Sequence, residues 1–305
     1  MFRKLTFALI CFALLLSACG SPAAAPTGIT VTDGLGRVIK LAGPAQKIVS
    51  LAPSNTEILY AIGAGKQVVG RDDISDYPAD VKALPSVGGL DKFNTEQLVA
   101  LKPDLVLMTE INSQEQVKKL EDLGLTVYYL KNPKTIEDMY ANLYIVASLT
   151  GHEKDTATLV DALKKRVAAV DEKVKAVTTK PVVFYELDSS DPAKPYTVGP
   201  NTFVDQLIVR AGGLNLTTAA GITDAYPQVS VEQIVSTDPD MIILGDSMWG
   251  ISVASVGQRP GWEKLKAVTA QHVFPFDDNL VSRPGPRLVD GLEALAKLLH
   301  PELYQ

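Results

Sequence analysis

From about residue 29 onward, short apolar runs alternate with turn residues and amphipathic stretches. Ile29 to Leu41 alternates polar with apolar around Asp33-Gly34 and Gly36-Arg37, which predicts a short hairpin. Lys47-Ile-Val-Ser-Leu51 reads as a buried strand, followed by Pro53-Ser-Asn-Thr-Glu57 and an apolar helix that stops at Gly63-Ala-Gly65. Gln67-Val-Val-Gly70, Leu105-Val-Leu-Met108 and Val127-Tyr-Tyr-Leu130 are further strands, with helical segments between them. Strands alternating with helices predict a parallel sheet in an α/β domain.

From Lys154 to about Val177 the period turns helical, with Leu159, Leu163, Val167, Val170 and Val174 on one face and no Gly or Pro inside. Lys180-Pro181 ends that helix, and Val182-Val-Phe-Tyr185 opens a second α/β series. This series includes Met241-Ile-Ile-Leu244 and Val273-Phe-Pro-Phe276, and closes with a helix from Arg287 to Leu299. The expected fold is therefore α/β: two α/β lobes with parallel-type sheets, bridged by one long helix, with a ligand cleft between them. The expected divisions are a first lobe over 29–152, a bridge over 153–179 and a second lobe over 180–305.

An internal echo supports two related lobes. Asn94-Thr-Glu-Gln-Leu-Val-Ala-Leu-Lys-Pro-Asp-Leu-Val-Leu-Met108 aligns with Ser230-Val-Glu-Gln-Ile-Val-Ser-Thr-Asp-Pro-Asp-Met-Ile-Ile-Leu244. The two share Glu, Gln, Val, Pro and Asp and keep apolar character at most other positions. Each copy predicts a helix, a Pro-Asp turn and a buried strand, followed by an acid, Glu110 or Asp246. Asn94 and Ser230 stand three residues before Gln97 and Gln233, the spacing of helix caps, and Ser54 stands likewise before Glu57. Glu96 and Glu232 then occupy the second helical position of both repeats, where the helix dipole favours an acid.

Composition narrows the function. Of 305 residues, 46% are hydrophobic and 21% charged, ordinary globular usage. A net charge of −6 with no basic block excludes a nucleic-acid partner. Both cysteines, Cys11 and Cys19, fall within the first twenty residues, so the rest of the chain has neither disulfide nor thiolate metal site. Arg3 and Lys4 precede an apolar run, Leu5 to Leu16, of about 18 Å as a helix, too short for a ~30 Å hydrocarbon core. Residues 1–18 are therefore expected to be a signal peptide. Leu16-Ser-Ala-Cys19 resembles the bacterial lipobox, which implies cleavage before Cys19 and lipid on its thiol. A Pro- and Ala-rich tether over 19–28 follows.

No catalytic constellation is expected. His152, His272 and His300 are scattered, with no ligand at metal spacing, and no P-loop or dinucleotide fingerprint follows a strand. Gly245-Asp246-Ser247 resembles the nucleophile block of GDS-type serine hydrolases, the alternative of another class. It lacks a downstream Asp three residues before a His.

The chain as a whole resembles the solute-binding lipoproteins of ABC importers for cobalamin, ferric siderophores and haem. The carrying stretches are Lys47 to Leu59 with Arg37 ahead of them, Val69-Gly-Arg-Asp-Asp-Ile-Ser-Asp-Tyr-Pro78, the paired Glu-Gln segments, and Arg283-Pro-Gly-Pro-Arg-Leu-Val-Asp-Gly-Leu292. The resemblance implies a non-enzymatic receptor on the outer face of the cytoplasmic membrane. Its implied partners are an ABC permease dimer with ATPase subunits, met through Glu96 and Glu232. It is expected to be monomeric, held at the membrane by lipid alone and without a cofactor of its own. Arg71, Tyr185, Trp249 and Arg283 stand at expected strand ends and are the expected ligand contacts. Ser75-Asp-Tyr-Pro78 looks most like the cobalamin binders, although Ile74, Leu280 and Val281 stand where those carry aromatic contacts. Arg71 and Arg283 look more like the positive sites of siderophore binders. Cobalamin ranks first as ligand, ahead of a ferric siderophore or haem, and the long bridging helix predicts only small closure.

The N-terminus yields a direct test. Two or more acyl chains, at about 0.8 kcal/mol per buried CH₂, hold a protein at a bilayer. Cys19→Ala is therefore expected to shift the protein from the membrane pellet to the soluble fraction. Retention in the pellet after a carbonate wash would show a different anchor.

Overall fold

The computed structural model describes residues 28–305; the expected signal peptide and Cys19 lie outside the described residues. β1 (Ile29–Thr32) and β2 (Val38–Leu41) pair antiparallel, Ile29 opposite Leu41, and close the expected hairpin. Asp33 shapes its turn, accepting from the backbone amides of Leu35 and Arg37 and from the Arg37 guanidinium. Gly36 at φ 79° supplies a left-handed backbone that a side chain would strain.

β3 (Ile48–Ser50), β4 (Val68–Arg71), β5 (Leu105–Thr109) and β6 (Val127–Leu130) form a four-stranded parallel sheet in the order β4-β3-β5-β6. β5 and β6 are buried at every position, because helices cover both faces and leave no reason for alternation. The second sheet is built on β7 (Val182–Asp188), which pairs antiparallel with short β8 (Tyr196–Thr197) and parallel with β9 (Leu214–Asn215). On the other side of β7 lie β10 (Met241–Leu244) and then β11 (Val273–Pro275), both parallel.

The sequence repeat is a structural repeat. Helix Thr95–Ala100 leads into β5, and helix Val231–Thr237 leads into β10. Asn94 caps the first by accepting from the Gln97 amide; Ser230 and Gln233 cap the second reciprocally.

The bridging helix runs Glu153–Val174, 22 residues and about 33 Å, ending a turn earlier than the pattern predicts. It packs between helix Ile136–Thr150 of the first lobe and the C-terminal helix Leu288–Leu299 of the second. Val160, Leu163, Val167 and Val170 are the buried face. One apolar core runs unbroken from Ile48, Leu107 and Leu143 through these residues to Val183, Ile243 and Leu292. Separate cores back the far faces of the sheets, around Val106, Met108 and Leu120 in one lobe and Phe184, Ile242 and Trp262 in the other. A fully buried aliphatic side chain contributes roughly 1.5–3 kcal/mol, so a hinge motion that opened the shared core would expose many such groups at once. Arg166 on the bridge adds ion pairs of 2.6 Å to Asp290 and Glu293, and Arg210 joins Asp171 of the bridge to Glu137 of the first lobe.

Candidate functional site

The C-terminal ends of the parallel strands in both lobes open on the cleft, and the loops that follow them decide its chemistry. Helix Pro53–Ala61 follows β3 directly. Its N-cap is Ala52, with no side-chain cap and with proline in the first turn, so Ser54 and Glu57 do not form the expected capping box. Proline needs no cap for the amide it lacks, and it starts the helix two residues early. Glu57 is thereby moved into the helix body, where it is only 2% exposed. It reaches across to the second lobe. Arg287 donates to it from Nε at 2.8 Å and Nη2 at 2.5 Å, and Arg283 from Nη1 at 3.3 Å.

The loop after β4 completes this joint. Asp72, fully buried, accepts from the amides of Ile74 and Ser75 and from the Ser75 hydroxyl. Ser75 also contacts the Thr56 hydroxyl at 2.9 Å. The loop so held presents Asp76 to Arg283 at 2.6 Å and lays the Tyr77 ring against the Arg287 guanidinium at 4.2 Å. Burial alone would raise the Asp76 carboxyl, but the bond and charge of Arg283, with Lys82 and Arg287 behind it, hold it below its ordinary value. Three of the stretches that carry the family resemblance thus meet around one carboxylate.

The four expected ligand contacts separate. Trp249 is 79% exposed, on the turn after β10. Arg71 is the last residue of β4, and its guanidinium donates to the carbonyls of Val81, Asp72 and Asp73. Arg283 is held in the interlobe joint. Tyr185 requires a correction: β7 runs three residues past it, to Asp188, so its ring lies in the core against Phe276 instead of at the strand end. Its hydroxyl donates to Asp278 at 2.6 Å, and burial, reinforced by the Asp278 charge, pushes the phenol well above its ordinary value. Burial also raises the Asp278 carboxyl, against the hydrogen bonds it receives from Ser282 and Tyr185.

Other apolar residues lie open to solvent. Ile74, Ile111, Tyr226 and Met248 are each about half exposed on loops. Tyr226 lies between the lobes: its phenol is raised by burial and by the charges of Glu110 in the first lobe and Asp278 in the second. The available sequence signal was an isolated apolar residue in a polar loop beyond a strand. In the second lobe Arg259 lies over the Trp262 ring at 4.6 Å, is buried and makes a bidentate pair with fully buried Glu186. Burial raises the Glu186 carboxyl despite that partner, and the Asp246 charge adds to the rise. Arg71, Arg259, Arg283 and Arg287 are therefore all occupied by carboxylates or carbonyls.

Glu96 and Glu232 are both exposed, in the first turns of the two repeated helices. Ser247 donates to the Phe276 carbonyl at 3.2 Å, and the His272 ring lies 3.3 Å from the Asp240 carbonyl oxygen, so the hydrolase-like block has no Ser–His pair. Among the described residues no cluster of three or more His, Cys, Asp or Glu is placed to hold a metal ion, and no helix is long and apolar enough to cross a membrane.

Two α/β lobes joined by one long helix around a loop-lined cleft define a two-lobed solute-binding protein. The chain belongs to the periplasmic binding protein family, whose model matches residues 48–280. It is 33% identical over 313 residues to the uncharacterized ABC transporter substrate-binding lipoprotein YvrC of Bacillus subtilis, covering 98% of this chain and 97% of that one. It is 31% identical over 248 residues to the vitamin B12-binding protein of Pectobacterium atrosepticum, covering 80% of this chain and 85% of the relative. The periplasmic haem-binding protein RhuT of Roseiflexus, solved without ligand, superposes with a TM-score of 0.76 at 26% identity, over 85% of this chain and 99% of that one.

The interlobe joint predicts a stability effect. Removing one partner of a buried ion pair costs about 3–5 kcal/mol, because the other charge stays desolvated. Glu57→Gln leaves two guanidiniums facing a neutral amide and is expected to lower the unfolding free energy by about 3 kcal/mol in urea titration. An unchanged midpoint would show that Asp76 and Tyr77 hold both arginines without it.

Proposed function

We propose that this chain is the solute-binding component of an ABC importer and holds an electroneutral metal chelate of the corrinoid type between its lobes, with lipid at Cys19 as its tether. The observation that carries this reading is the pairing of occupied arginines with exposed apolar surface. A ferric catecholate or a haem, with its propionates, would have to draw a guanidinium away from Glu57, Glu186 or the loop carbonyls. A corrinoid needs no counter-charge; it needs apolar faces for its ring and hydrogen-bonding groups for its amide arms. Ile111, Tyr226, Met248 and Trp249 supply such faces. Haem iron also takes a protein ligand such as His or a tyrosinate. His272 and His300 face the backbone carbonyls of Asp240 and Gly212. The vitamin B12-binding relative supports the same ligand class.

Calorimetry with cyanocobalamin, haemin and ferric enterobactin tests the charge argument. Cyanocobalamin is expected to bind at least tenfold more tightly than either anion. Tighter binding of haemin or the catecholate would overturn it.

Glu96 and Glu232 are read as docking contacts for a permease dimer. Their exposure, their equivalent positions and their capped, fixed helices support one twofold partner meeting both with basic residues. Complementary charge of this kind mainly orients and speeds encounter. The double substitution Glu96→Arg with Glu232→Arg is expected to leave cyanocobalamin affinity and melting temperature unchanged while abolishing uptake by cells. Normal uptake would refute the assignment.

A further inference from the structure

Beside Trp249 the second lobe holds a cavity of about 350 Å³ whose lining includes Asp188, Ser189, Asp246, Trp249 and Ile251. Asp246 opens the turn after β10. Gly245 before it lies so close to Tyr185 that a Cβ would come within 2.8 Å of the ring, so the turn is pressed onto the core and Asp246 is fixed by it. The residue is 3% exposed. Its Oδ2 accepts from the Ser189 amide at 3.0 Å and the Ser189 hydroxyl at 2.6 Å. Its Oδ1 is buried and receives no hydrogen bond.

The neighbouring charges do not relieve it. Arg259 is matched by Glu186, lies over the Trp262 ring and donates to the Ser189 hydroxyl at 3.2 Å. The one guanidinium of this cluster is therefore paired with Glu186 and makes no bond to Asp246, the acid that lines the cavity. Burying a carboxylate oxygen without a donor is costly, and a donor brought by a ligand recovers that cost. Trp249, exposed beside it, offers a flat face against which an amide can stack or a cation can sit.

We propose that Asp246 is a specificity-determining acceptor for an N–H group at the end of an arm of the bound chelate, with Trp249 as the face on which that arm rests. The inference rests on the reading that a chelate binds between the lobes. A carboxylate at the end of the same arm faces Asp246 with like charge and is rejected. Asp246→Asn keeps an oxygen for Ser189 and turns an N–H₂ toward the arm, which removes the preference.

The test compares ligands that differ only at that group. Cyanocobalamin and its isomeric side-chain monocarboxylates, each with one carboxamide replaced by a carboxylate, are titrated calorimetrically into the wild-type chain and into Asp246→Asn. The wild type is expected to bind at least one isomer tenfold or more weakly than cyanocobalamin. In Asp246→Asn that difference is expected to fall within threefold, while cyanocobalamin itself weakens about tenfold. Wild-type binding of every isomer within threefold of cyanocobalamin overturns the proposal, a result that needs no variant to fold. A discrimination that survives in a folded Asp246→Asn also overturns it, while leaving the corrinoid reading intact. Should cyanocobalamin not bind, the corrinoid reading fails on its own. Ferrioxamine B, whose arm ends in an ammonium, and its N-succinyl derivative, whose arm ends in a carboxylate, then make the same comparison. Binding of neither parent chelate overturns the acceptor role as well.

Discussion

The carboxylate of Glu57 is the constraint around which the two lobes are arranged. It is buried, it comes from the first helix of one lobe, and its hydrogen bonds come from two arginines before and at the start of the last helix of the other. An unpaired carboxylate or guanidinium in that position is expensive enough to dictate relative placement. Asp76 and Tyr77 then become part of the joint, because the loop after β4 has to bring them to the same arginines. The local choices follow from this: proline starts the helix early so that Glu57 points outward from its body, and Asp72 and Ser75 lock the loop that answers it.

The joint and the shared apolar core act together. The core through Val160, Leu163 and Val167 resists separation of the lobes because it would expose aliphatic surface, and the joint resists their rotation because it would break directional hydrogen bonds. Together they hold the two repeated helices, and hence Glu96 and Glu232, at a nearly fixed spacing. The same economy of charge shapes the cleft. The arginines that hold the lobes together or brace loops are already bonded to carboxylates or carbonyls.

Much of this architecture was legible along the chain. The α/β alternation, the hairpin, the repeat, its caps and the bridging helix all come from local rules, hydrophobic period and turn chemistry, and each has the predicted type within a few residues of the predicted bounds. The cleft was legible only as a place. Tyr185 was read as a strand end because its apolar run stops there, yet the strand continues through Glu186 and Asp188, whose polarity local patterning takes for a loop. Glu186 is tolerated inside because Arg259, distant in sequence, neutralises it.

Sequence alone determined which elements form and in what order, since period, caps and breakers act over a few residues. Tertiary structure decided what the charged residues do. Glu57 reads locally as a cap and Arg283 as a ligand clamp, and both become partners in one ion pair only when residues more than two hundred apart are brought into contact. Asp246 reads as one acid among many, and its lone buried oxygen is visible only once Ser189 and Arg259 have taken their places around it. Hydrophobic burial is patterned locally, whereas the worth of a charge depends on its neighbours in space, and those neighbours come from the fold.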